Sequence, residues 1–150
     1  MSVMKAKIDY LSRLLHERPA GYLDKVDAGL TEIVAQKSPA EIDDLLSLLN
    51  DFGEDEAMFM IVHTIERWED HAYCMALQTD LERLWKTAPR WTQILHIRVM
   101  NSPNASDEYI RLMKQNSISA RQVARDIFVS IGKKWPKLVE KVNMFLAKVE

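Results

Sequence analysis

The chain has 150 residues, of which 47% are apolar and 28% charged, with a formal charge of −2, four glycines and one cysteine. That length accommodates one domain with a core of its own, and so few glycines argue against a loop-rich or all-β chain. The near-neutral balance gives no global attraction to nucleic acid, the lone Cys74 cannot close an internal disulfide, and no apolar run approaches the ~20 residues of a membrane helix.

The opening MSVMKAKIDYLSRLL carries Asp9 and Arg13 and is followed by no small-residue cleavage site, so it is not expected to be a secretory signal. A reducing, cytoplasmic setting, a single domain over residues 1–150 and no cofactor are the expectations.

Apolar residues recur every three or four positions along most of the chain, the period of helices with one buried face. Val3 to Glu17 carries Val3, Ala6, Tyr10, Leu11, Leu14 and Leu15, and Arg18-Pro19-Ala20-Gly21 ends it, because proline disfavours helix in the residue before it. Tyr22 to Gln36 repeats the pattern, with Gly29 as a weak point or a place for close approach. Ser38-Pro39-Ala40-Glu41 reads as a capping box that starts a helix running to about Asp51. Asn50-Asp51-Phe52-Gly53 reads as a turn. Glu54, Asp55 and Glu56 then favour the N-terminus of a helix over Asp55 to about Trp68. Asp70 can cap a helix through Tyr73, Leu77, Leu81 and Trp85, and Pro89 interrupts it. A shorter helix from Trp91 to Val99 stops at Asn101-Ser102-Pro103. Ser106 or Asp107 opens another, Ser119 with Gln122 caps the next, Gly132 ends that, and Pro136 starts the last.

Eight or nine helices and no convincing two-residue period give an all-α protein. Two layouts fit: stacked antiparallel helical hairpins, HEAT- or armadillo-like, or a compact irregular bundle. No fixed repeat period is visible.

Charge is unevenly spread. Ser38 to Leu84 holds twelve acids and two Lys or Arg, whereas Asn101 to Glu150 holds nine bases and five acids. An acidic middle repels phosphate backbones and attracts basic partners, though solvated helix faces also look like this. The bases of the tail, Arg111, Lys114, Arg121, Arg125, Lys133, Lys134, Lys137 and Lys141, are interleaved with acids, so no nucleic-acid surface is expected.

No catalytic motif is present: there is no GxSxG, phosphate loop or dinucleotide fingerprint. His63, Glu66 and His71 lie close in sequence but lack the HExxH spacing, so no metal is expected. Cys74 beside His71 falls in an apolar series with Leu77 and Leu81, the setting of an inert thiol. The distinctive stripe is Asp55, Phe59, His63, Glu66 and Asp70, spaced by three or four beside the apolar face of one helix. An aromatic among charges suits a protein-binding face, while packing of Phe59 on a neighbouring helix with solvated acids is the alternative. Arg98 lies on the face of Trp91, Ile94 and Leu95, with Asn101 just beyond. It is expected to pair with Glu66 or another central acid, since an unpaired buried charge is costly, and direct binding is the second reading.

The stretches EDEAMFMIVHTIERW and APRWTQILHIRVMNSP together resemble bacterial polymorphic-toxin immunity proteins of the kind called immunity protein 30. His63, Ile65 and Glu66 match the first of that family's motifs, and Trp91, Leu95, Arg98, Asn101 and Ser102 match the second. The resemblance spans about a third of the chain. It implies a non-enzymatic cytoplasmic antidote of contact-dependent growth inhibition or a related system. Its partner would be the C-terminal domain of a cognate toxin, often a nuclease with a basic active-site cleft that the antidote occludes. A HEAT-like scaffold or adaptor for another protein complex is the alternative.

Overall fold

The structure is a computed structural model that describes residues 3–36 and 40–149. Ser38 and Pro39 of the expected capping box lie outside the described residues. Two compact units divide the chain, Met1–Glu69 and Asp70–Glu150.

The first unit contains α1 (Val3–Glu17), α2 (Tyr22–Gln36), α3 (Ala40–Leu46) and α4 (Asp55–Ile65). Its core follows the apolar spacing: α1 buries Ile8, Leu11, Leu14 and Leu15, and α2 buries Tyr22, Val26, Leu30 and Ile33. A Cβ on Gly29 would stand 2.8 Å from Leu11 Cδ2, so the bare glycine is what lets α1 and α2 approach so closely. α1 ends where Arg18 turns to φ 49° and its N–H closes on the Leu14 carbonyl at 2.9 Å, the left-handed stop that usually falls to glycine. α3 is shorter than expected. After Leu46 the chain tightens, with Leu48 and Leu49 N–H bonding the carbonyls three residues back, yet both leucines stay buried. α4 packs on α2 and α3 through Met58, Ile61, Val62 and Ile65, none of them exposed. Each such side chain contributes roughly 1.5–3 kcal/mol.

The second unit holds α5 (Asp70–Thr79), α6 (Leu81–Thr87), α7 (Pro89–Met100), α8 (Pro103–Lys114), α9 (Ile118–Lys134), a 3-10 turn (Pro136–Leu138) and α10 (Val139–Val149). Ten α-helices among the described residues replace the expected eight or nine. The extra one arises because the segment through Tyr73 and Trp85 breaks at Asp80, which leaves helical geometry (φ −103°, ψ 12°) and pairs its carboxylate with Arg83. α8 starts at Pro103 rather than Ser106, because proline at the first helical position loses no hydrogen bond. α9 is capped by Ser117, whose Oγ accepts the Ala120 N–H at 3.0 Å, and not by Ser119. It also runs past Gly132 to Lys134.

No strand occurs among the described residues, so the fold class is all-α as expected. Within the second unit α5 packs chiefly on α8, α6 and α7 both pack on α9, and α8 and α9 both pack on α10. The pairs α5 with α8 and α6 with α9 skip along the chain, as in an irregular bundle, while α7 with α8 and α9 with α10 pack as consecutive helices. Its centre is aromatic: Tyr109 meets Phe128 edge-on at 6.0 Å, and Phe128 lies 4.5 Å from Phe145, centroid to centroid.

Candidate partner-binding surface

The division into units sharpens the uneven charge. Met1–Glu69 holds fourteen acids and seven Lys or Arg, a formal charge of −7, and Asp70–Glu150 holds eight acids and thirteen, a charge of +5. The overall −2 conceals two oppositely charged bodies.

On α4 the buried arc is Ala57, Met58, Ile61, Val62, Thr64 and Ile65. The opposite arc carries Asp55, Glu56 and His63, exposed, and Phe59 and Met60, half-buried. The Phe59 ring lies tilted against His63, 6.0 Å between centroids. Glu66 is half-buried at the C-cap of α4. Beyond it the Arg67 and Trp68 N–H groups bond the carbonyls of Thr64 and Ile65, three residues back, which ends the helical register. Asp70 is therefore not on this helix: it opens α5, in the other unit. The stripe expected on one helix is Asp55, Phe59 and His63, closed by Glu66.

The second expected pair sits on α7 in the second unit. Arg98 is half-buried one turn from the end, and Asn101 caps the helix while its Oδ1 accepts a hydrogen bond from Lys141 Nζ. Glu66, considered as a mate for Arg98, belongs to the first unit. Trp91 and Leu95 are fully buried, so these two motif positions build the core.

The loop before α4 holds the most exposed aromatic of the described residues. Phe52 is 90% exposed. Its backbone is tied on both sides: its N–H donates to Asn50 Oδ1 at 3.0 Å, and its carbonyl accepts from Arg18 Nη2 at 2.6 Å. Next to it, a Cβ on Gly53 would fall 2.7 Å from Met58 Cε, so the loop lies hard against α4. Tyr22 Oη donates to Glu54 Oε1, and burial, reinforced by that carboxylate, pushes the Tyr22 hydroxyl up to about 12. The sequence signal was an aromatic inside the acidic run NDFGEDE. What it could not show was the tie to Arg18, 34 residues away.

Cys74 is buried, its Sγ donating to the Ala105 carbonyl at 3.5 Å, and burial with Asp70 and Glu108 nearby pushes it up to about 12. It is a thiol at neutral pH, not a nucleophilic thiolate. His71 Nδ1 lies 2.6 Å from Glu108 Oε2, and Arg111, with His71, holds that carboxyl down to about 2. His63 and His71 belong to different units. Among the described residues no group of three or more His, Cys, Asp and Glu is placed to hold a metal ion, and no helix is long and apolar enough to cross a membrane. A cleft of about 540 Å³ beside α5, α8 and the start of α9 has Glu82 as its sole ionisable lining residue, so it offers no acid–base pair.

Residues 12–109 match the sequence profile described as immunity protein 30. No curated protein and no solved structure matches the chain. The matched span runs from the second half of α1 to the middle of α8, including the whole acidic helix and both motif segments, and the chain belongs to the immunity protein 30 family, as an immunity protein of a polymorphic toxin system.

Proposed function

We propose that this immunity protein acts in the cytoplasm, where it covers the active-site cleft of a cognate toxin domain with the acidic flank of its first unit and catalyses nothing itself. The toxin is read as the C-terminal domain of a contact-delivered effector, and as a nuclease, whose cleft must be basic to hold a polyanion. The observation that carries the reading is the charge of −7 on the first unit, with Asp55, Glu56, His63 and Glu66 set on the open side of α4 around the half-buried Phe59. Such an arrangement supplies long-range attraction together with an apolar contact. Asp70, which opens α5 in the second unit, is proposed as a partner-binding residue in its own right.

Co-purification with the toxin domain encoded beside it, followed by growth rescue in cells expressing that domain, is the direct experiment. The wild type should rescue, and Glu66→Lys with Asp70→Lys should bind more weakly and lose salt dependence. If the doubly reversed protein folds and binds as before, the acidic flank is not the interface. Cleavage of nucleic acid by the toxin domain alone would support the nuclease assignment, and another activity would sink it.

A further inference from the structure

We infer that Phe52 is the apolar anchor of the toxin interface, held ready by the Arg18 side chain; this rests on the toxin-binding reading above and adds to it a site off the α4 stripe. A lone exposed apolar side chain is ordinary in a folded protein. Phe52 differs in how its backbone is fixed. Its carbonyl is bound by Arg18 Nη2, its N–H by Asn50 Oδ1, and Gly53 behind it is pressed on Met58. Arg18 itself is the described non-glycine residue at positive φ, and that turn is what brings its guanidinium back to the loop. Backbone restraint of this kind lowers the entropy that an anchor loses on binding.

The surroundings choose the partner. Asp51, Glu54, Asp55 and Glu56 lie within four residues of Phe52, in a unit with a charge of −7. An exposed aromatic in an acidic stretch of chain fits an apolar pocket edged with Lys and Arg, such as the base-stacking site within a cleft that binds nucleic acid. The ring would enter where a base stacks, and the carboxylates would meet the side chains that hold phosphates. Arg18 is a positioning residue: it touches the loop, not the partner.

The test uses the full chain and the purified toxin domain encoded beside it, inactivated by mutation. Phe52→Ala should weaken binding about thirtyfold or more, the scale of an interface hot spot, without altering the melting temperature, because the ring is exposed. Phe52→Leu should recover part of the loss. Arg18→Ala should weaken binding less, mainly through a slower association, since the ring remains but must be ordered. If Phe52→Ala binds as wild type while Glu66→Lys with Asp70→Lys weakens binding, the anchor is overturned and the acidic flank stands. If Phe52→Ala weakens binding and Glu66→Lys with Asp70→Lys does not, the anchor stands and the flank fails. No binding by the wild type overturns both. A change in sedimentation of Phe52→Ala without toxin, at unchanged toxin affinity, overturns the anchor in favour of self-association through this loop.

Discussion

His96 Nε2 accepts the hydroxyl proton of Tyr109 at 2.9 Å, at a point where neither side chain is exposed. The other ring nitrogen, Nδ1, lies 2.7 Å from the Thr92 carbonyl, which can only accept, so Nδ1 carries the hydrogen and the ring is neutral. Tyr109 and Phe128 both stand edge-on to the ring, at 5.4 and 5.3 Å. The second unit thus has one saturated polar contact within an aromatic centre. Protonation of His96 would put a charge where nothing but the Thr92 carbonyl favours it.

Stability should therefore fall on mild acidification. Burial lowers His96 from 6.5 to about 4 in the folded protein. Between those values the unfolded chain binds a proton that the folded chain refuses, so stability is full above pH 6.5 and declines as pH falls toward 4. The shift converts to about 3 kcal/mol in all, as an order of magnitude. Glu108, held down by Arg111 and His71, adds stability that is lost only lower, between its ordinary 4.5 and about 2. Urea unfolding at a series of pH values measures both windows. A flat profile through the upper one would mean that His96 is not buried neutral.

Tyr109→Phe isolates the same contact at neutral pH. The ring still packs, but His96 Nε2 loses its donor while remaining out of water. An unsatisfied buried acceptor costs about 1–3 kcal/mol. The double replacement of His96 and Tyr109 by apolar residues should cost less than the sum of the two single changes, because the polar pair disappears together. Additive losses in thermal or urea unfolding would show that the two residues do not depend on each other.

Cys74 should resist thiol reagents in the folded state. Its Sγ is buried and its ionisation is pushed up to about 12, so thiolate is scarce and shielded. An aromatic disulfide reagent at mildly alkaline pH should give no reaction over minutes with native protein and one equivalent once the chain is denatured. Fast stoichiometric reaction of the native protein would overturn this placement and reopen the question of a reactive cysteine.

Much of the fold can be read directly from the spacing of apolar residues. Leu11 with Leu14, Val26 with Leu30, and Ile61 with Ile65 are buried where a helical period puts them. Gly29 is likewise a point of close approach. Helix ends were less legible because a cap is a geometry as well as a residue type. Ser117 and Ser119 both suit the role in sequence, and only the chain direction out of Asn116 makes Ser117 the cap. Asp80 broke a helix whose apolar period continued straight through it. At the candidate site the period was extended one step too far, from Glu66 to Asp70, across a segment where the hydrogen bonds shorten to three residues. Phe52 could not be singled out, since a phenylalanine in a turn can fold inward as easily as outward. What holds it outward comes from Arg18, in another helix hairpin of the same unit.

The charge separation makes a kinetic prediction that does not depend on which single residue dominates the contact. With −7 on the first unit and +5 on the second, a basic surface should attract the first and repel the second. Association with the toxin domain should then slow by roughly tenfold or more between low salt and a few hundred millimolar, while dissociation changes little. Asp55→Lys with Glu56→Lys should flatten that dependence, because both lie exposed at the start of α4. Reversal of exposed charges in the second unit, Lys133→Glu with Lys134→Glu, should leave it intact or make it slightly steeper, since removing positive charge increases the net attraction. Stopped-flow or surface-based kinetics across a salt series would decide. An association rate indifferent to salt, or one dependent on the lysines of the second unit rather than the acids of the first, would place the basic unit against the toxin instead.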